Sequence, residues 1–272
     1  MLEGSVVQPI FYFFIPILFG SLFQQLYNTV DAIVVGNFVG KEALGAVGGS
    51  TGTVINLLVG FVVGLASGAT VVIAQYYGNK EEEGVKNGVY SSMFLAIVLG
   101  FLLMVVGIWF TPQILRILNV PDSIMNYSVT YMRIFLTGMI PSLIYNNGSG
   151  ILRAVGDSKR PLYFLVAACL TNIVLDILFV VVFHWGVAGT AISTLISRIF
   201  SMAVVMIKLR NPSFDVSLRH YFSIRPDWSK IKKILYIGVP SGIENSMFQF
   251  GKLAIQSTVS LMGTAAIAAQ GM

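Results

Sequence analysis

Polar side chains interrupt a stretch of the sequence that is otherwise apolar enough to cross a membrane. Residues 16–47 are mostly apolar, yet they contain Gln24, Asn28 and Asp31. Their spacing of i, i+4 and i+7 predicts one polar stripe along a single face of an α-helix. A carboxylate inside a bilayer is energetically costly, so Asp31 is the first candidate for a functional group.

Two later apolar runs carry further oxygen-bearing side chains at the same predicted depth. Asn172 and Asp176 are spaced i, i+4 on one run, and Thr194 lies on the next. Asp31, Asp176 and Thr194 each lie eight residues from the outer end of their run, which corresponds to about 12 Å of helix. Carboxylate, amide and hydroxyl oxygens suit a proton or a hard cation rather than a soft metal. The sequence therefore predicts an H⁺ or Na⁺ site at Asp31, Asn172, Asp176 and Thr194.

The same polar groups have a second interpretation, in which they only form hydrogen bonds between helices. Hydroxyl groups often join membrane helices in this way. Arg198 lies one turn inward of Thr194 and could pair with an acid, so this interpretation stays open. Gln24, Asn28 and Glu244 are predicted to line a substrate cavity.

The composition excludes a water-soluble protein. The 272 residues are 56% hydrophobic and 11% charged, whereas soluble domains carry about 25% charged residues. The only cysteine lies in an apolar run, so disulfides have no role. Both histidines fall in loops, and the Gly-Lys-Ser/Thr pattern of a phosphate-binding loop is missing. We therefore expect no enzymatic activity, no cofactor and no nucleic-acid partner.

Hydropathy predicts an all-α membrane protein with seven spans. Their approximate bounds are 10–35, 53–76, 89–110, 124–146, 161–183, 188–208 and 231–261, with a short amphipathic segment at 112–122. Residues 1–210 would form a six-helix lobe, 211–229 a cytoplasmic linker and 230–272 the start of a second lobe. Pro16 lies inside the first span, where a missing backbone donor favours a bend, so we predict that this helix bends there.

The distribution of basic residues predicts the orientation. Loops after the second, fourth and sixth spans hold twelve Lys and Arg residues: Lys80, Lys86, Arg153, Lys159, Arg160, Lys208, Arg210, Arg219, Arg225, Lys230, Lys232 and Lys233. The loops on the other side hold only Lys41 and Arg116. Because cytoplasmic loops are enriched in Lys and Arg, we predict a multi-pass cell-membrane protein with a cytoplasmic N-terminus.

A weak internal repeat relates the beginning and the end of the chain. Pro16 and Pro240 occupy similar places in their spans, and residues 40–46 (GKEALGA) align with 263–269 (GTAAIAA). Many transporters are built from such repeats, with binding sites at the repeat interface. The second copy stops early, so the chain is expected to be an N-terminal portion that needs a missing C-terminal lobe.

These features together resemble the multidrug and toxic compound extrusion (MATE) family. The resemblance rests on Pro16 with Asp31, the segments 39–46 (VGKEALGA), 152–161 (LRAVGDSKRP) and 238–244 (GVPSGIE), and the pair Asn172 and Asp176. It implies a V-shaped exporter of twelve helices in two lobes. Such a protein would expel organic, often cationic compounds in exchange for inward Na⁺ or H⁺.

The resemblance also implies roles for individual residues. It places the cation site of the first lobe on Asp31, Asn172, Asp176 and Thr194, and a hinge at Pro16, where the first helix would bend during transport. One departure concerns the seventh span. There a branch of the family has an acid eight residues after the proline, whereas this chain has Phe248, and its acid is Glu244.

Two other functions remain open at this stage. A flippase for lipids or lipid-linked oligosaccharides would share the architecture and have a more basic cavity, for which Arg133, Arg198 and Lys252 are candidates. A truncated, inactive membrane fragment is the other. The identity of the substrate and the choice between Na⁺ and H⁺ also stay open.

Overall fold

A computed structural model describes residues 7–211 and 226–260. Within these ranges the chain is all α-helical, with one π-helical segment and no strand. The helices are α1 (Val7–Phe38), α2 (Lys41–Gly48), α3 (Ser50–Gly78), α4 (Glu82–Ile117), α5 (Asp122–Thr137), α6 (Met139–Ala154), α7 (Lys159–Asp176), the π-helical segment (Ile177–Val182), α8 (Gly186–Leu209) and α9 (Trp228–Ser260). Most of the predicted linker and the repeat segment 263–269 lie outside the described residues.

The helices present apolar surface outward, as a protein in a bilayer must. Four segments of the described chain are long and apolar enough to cross a membrane: Lys41–Gly78, Glu82–Ile117, Lys159–Val182 and Gly186–Leu209. On α4, for example, Phe101, Leu102 and Trp109 are more than half exposed. Exposed apolar surface on this scale is not stable in water. The chain is therefore an all-α, multi-pass membrane protein.

Two predicted elements differ from the structure. The fourth span, predicted as one helix, consists of α5 and α6, which meet at Gly138. Pro141 has no N–H to donate to the carbonyl of Thr137, and this loss interrupts the helical hydrogen bonds. The separate amphipathic segment predicted at 112–122 is also wrong, because α4 continues through Pro112 as far as Ile117.

The buried side chains form two main clusters that hold the first eight helices together. One cluster joins α2, α5 and the C-terminal part of α4, and includes Leu44, Leu115 and Leu136. The other joins α3, α4, α6 and α8, and includes Met93 and Ile151. Helix α1 lies against α7, α8 and the π-helical segment, where it meets the side chains that could do chemistry.

Helix α9 packs against α3 with the two backbones in close contact. A Cβ atom on Gly64 would collide with the backbone of Gly242, and one on Gly68 would come within 2.6 Å of Gly238 Cα. The hydroxyl oxygen of Ser246 also lies 3.2 Å from the carbonyl oxygen of Leu57. Small residues at four-residue spacing allow this approach between membrane helices.

Candidate cation site

Two acids from different helices are buried together between α1, α7 and α8. Asp31 lies in the C-terminal half of α1 and is 7% exposed, and Asp176 is the last residue of α7 and fully buried. Their carboxyl groups are close enough to share a hydrogen bond. Among the described residues, no basic side chain lies within ion-pair distance of either acid.

Asn172 links the two acids. With its amide nitrogen facing them, it donates to Asp31 Oδ1 at 3.0 Å and to Asp176 Oδ2 at 3.1 Å. In the same orientation its carbonyl oxygen accepts from the backbone N–H of Thr194, at 3.3 Å. The i, i+4 spacing on α7 is what places Asn172 one turn below Asp176. One buried amide therefore connects all three helices.

The α8 side of the site is built from hydroxyl groups. The side chain of Ser193 is hydrogen-bonded to Asp176, and its Oγ also lies 2.8 Å from the carbonyl oxygen of Thr190. Thr194 donates its own hydroxyl proton to that carbonyl at 3.0 Å and accepts one from Tyr27, at 3.2 Å. The structure thus brings Asp31, Asn172, Asp176 and Thr194 together, with the hydroxyl of Thr194 turned toward Tyr27.

The helix that carries Asp176 changes its winding immediately afterwards. Residues Ile177–Val182 form a π-helix, in which the N–H of Phe183 bonds to the carbonyl of Leu178 at 3.0 Å. Such segments often occur at functional sites, because they change the direction in which the following side chains point. Phe179 of this segment stacks on Trp185, which follows it, with their ring centroids 4.9 Å apart.

The other predicted site residues are more widely spread. Gln24 lines a cavity below the acids, whereas Asn28 is exposed. Pro16 is buried, and α1 is continuous through it. Glu244 is exposed on α9, about 200° around the helix from Gly242, which faces α3.

Two residues of the site were missed in the sequence. Tyr27 lies one turn before Asp31 on the same helical face, and Ser193 immediately precedes Thr194. The i−4 spacing from a membrane acid was a usable signal for Tyr27. Ser193 had no such signal, because the rotation of α8 decides which of its several hydroxyls face α7.

A cavity of about 210 Å³ adjoins the site on the side of Tyr27. It lies between α1, α6, α7 and α8, and its lining includes Pro16, Gln24, Tyr27, Arg153 and Arg198. The two acids do not line it. Arg133 lies elsewhere, exposed on α5, and the side chain of Lys252 is outside the described part of the structure.

Comparison with known proteins decides the family. The MatE family profile matches residues 16–178, which is more than half of the chain. This chain belongs to the MatE family. The matched region runs from within α1 to just past the end of α7, and therefore contains three of the four residues of the predicted site.

Relatives of known sequence or structure agree with this assignment. The chain is 32% identical over 278 residues to the probable multidrug resistance protein YoeA of Bacillus subtilis, covering 99% of this chain and 59% of YoeA. It matches an inward-facing and an outward-facing structure of a multidrug resistance MATE family transporter, each with a TM-score of 0.82, at 28% and 27% identity. These matches cover 90% and 99% of this chain, but only 56% and 66% of the transporter. The chain thus spans about three fifths of the length of these relatives.

Proposed function

We propose that this chain is the cation-binding lobe of an exporter that expels organic, often cationic compounds in exchange for inward H⁺ or Na⁺. The observation that carries the proposal is the pair of buried acids that share the amide of Asn172. Two carboxylates in such close contact repel each other, and one positive charge between them relieves the repulsion. Without a basic partner in ion-pair contact, an exchangeable cation is the natural source of that charge.

The hydroxyl of Ser193 supports both choices of cation. A hydroxyl carries a single proton, so Ser193 can donate either to Asp176 or to the carbonyl of Thr190. If it donates to Thr190, its oxygen can only accept, which requires a proton on Asp176. If it donates to Asp176, that carboxylate can remain ionised beside a Na⁺ ion. The site therefore suits either ion.

Family membership supports the transport role. The named relative and the two solved structures are described as multidrug resistance proteins. Because the chain spans 59% of YoeA, we propose that a second lobe completes the transport path, with Gln24, Asn28 and Glu244 contacting the substrate. In this arrangement the protein lies in the cell membrane with a cytoplasmic N-terminus, and α1 bends at Pro16 during transport.

Efflux of a fluorescent organic cation from cells expressing the complete gene product tests the proposal. We expect Asp31→Asn to lower the efflux rate at least tenfold, because the site loses the charge that holds the coupling ion. The matched control is Asp122→Asn, which makes the same change at an exposed position on α5. Efflux by Asp31→Asn at the level of Asp122→Asn would contradict the proposal.

The coupling ion is identified by removing one gradient at a time. Dye would be added outside everted vesicles containing the protein, its uptake into the lumen would be followed, and the Na⁺ gradient and the pH gradient would be collapsed separately. Loss of transport with only one of them names the ion. Transport that survives the loss of both would exclude cation coupling.

A flippase is the second candidate, because Arg153 and Arg198 line the cavity and could hold a lipid phosphate. The distinguishing measurement is lipid scrambling in reconstituted vesicles, run beside the dye efflux assay. Scrambling that depends on these arginines, without dye efflux, would favour the flippase.

A further inference from the structure

Among the described residues, the lining of the cavity next to the candidate cation site contains two arginines and no acid. Arg198 lies on α8, one turn from Thr194, and Arg153 lies in the last turn of α6. A transporter of organic cations would be expected to show its substrate the opposite charge. The polarity of this cavity therefore calls for a different explanation.

Among the described residues, neither guanidinium forms an ion pair with an acid. No acid in the described part of the chain lies within ion-pair distance of Arg153 or Arg198. The nearest acid in sequence to Arg153 is Asp157, which is bound by Arg160 at 2.8 Å. Because neither charge is held in an ion pair, both can attract an anionic group that enters the cavity.

Arg198 also has an unused hydrogen-bond donor. Its Nη1 atom is buried without a partner, and its guanidinium carbon lies 3.9 Å from the centre of the Phe135 ring. A buried donor left unsatisfied costs about 1–3 kcal/mol, and more when it is charged. An anionic oxygen brought into contact with this atom would relieve the cost.

Charge balance with Asp31 is the competing explanation for Arg198. Under that explanation the guanidinium would pair with the acid, yet the two are not within ion-pair distance. Arg198 instead lines the cavity, and Asp31 does not. The positive charge is therefore presented to the contents of the cavity.

The rest of the lining defines the body of the ligand. Ile17, Leu162 and Leu165 supply an apolar wall, so the cavity offers a positive part and an apolar part. We propose that it binds an amphiphile that has one anionic group, a carboxylate, phosphate or sulfonate, on a compact apolar body. If this ligand is also a substrate, that part of the inference rests on the proposed export function. Binding of the ligand does not depend on transport.

A pair of matched probes tests the charge preference. Binding of 2-naphthoate and of 2-naphthylmethylammonium to the purified chain in phosphatidylcholine nanodiscs would be measured by equilibrium dialysis against empty nanodiscs. The probes share one ring system and differ in charge. We expect 2-naphthoate to bind at least tenfold more tightly. Equal binding, or tighter binding of the amine, would overturn the proposal.

Variants assign the preference to the two arginines. We expect Arg198→Met and Arg153→Met each to weaken 2-naphthoate binding about tenfold, since each removes charge-assisted hydrogen bonds. Arg198→Lys keeps the charge and should retain part of the binding, which separates loss of charge from misfolding. Lys86→Met is the control, because Lys86 is exposed on α4 and pairs with Glu82. An equal loss in Lys86→Met, or no loss in either arginine variant, would overturn the assignment.

A lipid-binding measurement identifies the source of the anion. Native mass spectrometry would count phosphatidylglycerol and phosphatidylcholine molecules retained by the wild type and by Arg198→Met. Arginine-dependent retention of phosphatidylglycerol that 2-naphthoate displaces would identify a lipid head group as the ligand. Retention without displacement, together with tight naphthoate binding, would identify a soluble amphiphile.

The two proposals fail in different ways. If 2-naphthoate still binds more tightly than the amine but efflux does not depend on Asp31, the cation-coupled function is contradicted and the anion site stands. If efflux depends on Asp31 but the two probes bind equally, the anion site is contradicted and the cation-coupled function stands.

Discussion

Helices α1 and α9 invite comparison, because they are similar in length and both contain a proline in their first half. They have 32 and 33 residues, with Pro16 and Pro240 respectively. Each also carries one acid within its span, yet the two acids have different environments. Asp31 is buried against α7 and α8, whereas Glu244 is exposed.

The packing of the two helices differs as much as their acids. Helix α9 touches α3 through glycines, so that backbone meets backbone. Helix α1 contacts its neighbours through side chains and leaves large apolar residues such as Phe11 and Leu22 exposed. Similar helices can thus serve as the wall of a buried polar site or as a closely packed structural element, depending on whether the buried face carries polar groups or glycines.

The largest expected effect comes from removing the amide that joins the site. Asn172→Leu leaves two buried acids without their shared donor, and hydrogen bonds to charged groups contribute about 1.5–3 kcal/mol. We expect efflux to fall about 10- to 100-fold. Asn245→Leu makes the same change at an exposed position on α9. If Asn172→Leu and Asn245→Leu lower efflux by a similar factor, the polar site beside α1 is no more important for transport than the exposed face of α9.

The second prediction concerns the glycine contact. Gly64→Leu should force α3 and α9 apart, and overpacking of this kind typically costs about 1–3 kcal/mol. Gly251→Leu is the matched control, because a Cβ there meets nothing within 4 Å. Thermal unfolding of the purified protein in detergent would compare them. Equal melting temperatures would show that the close contact does not contribute to stability.

The prolines provide the third comparison. Pro16→Ala restores a backbone donor in α1, and if the helix bends there during transport, stiffening it should slow efflux about fivefold. Binding of the coupling ion should stay unchanged, because Pro16 does not contact the acids. We expect Pro240→Ala to have a smaller effect on efflux. A larger effect from Pro240→Ala would move the hinge to α9.

The smallest effect is expected at Glu244. If it contacts substrate from an exposed position, Glu244→Gln should weaken efflux of a cationic dye by about threefold or less, since exposed charge pairs contribute little. Its dependence on the ion gradient should be unchanged. A change in that dependence would assign Glu244 to coupling rather than to substrate contact.

The grouping of the site residues could be predicted because helix rise is regular. Counting residues from the outer loops placed Asp31, Asp176 and Thr194 at one depth, and the structure brings them together. Rotation about the helix axis could not be predicted in the same way. The stripe of Gln24, Asn28 and Asp31 divides, since Asn28 is exposed while Asp31 turns toward α7.

The positions at which helices end could not be predicted from the sequence either. The prediction ended a helix before Pro112 and continued the fourth span through Pro141, yet α4 continues past Pro112, whereas α5 and α6 separate three residues before Pro141. A proline removes one donor wherever it lies. Whether the helix continues depends on the packing around it, which a single sequence does not contain.

The π-helical segment after Asp176 also affects how this chain tolerates changes in length. A π-helix holds more residues per turn than an α-helix, so one residue deleted from Ile177–Val182 can be absorbed by rewinding the segment. Asp176 would then keep its place beside Asn172. The same deletion between Asn172 and Asp176 would turn the acid by about 100° away from its partners. Among related sequences, single-residue gaps should therefore fall after the aspartate and not before it.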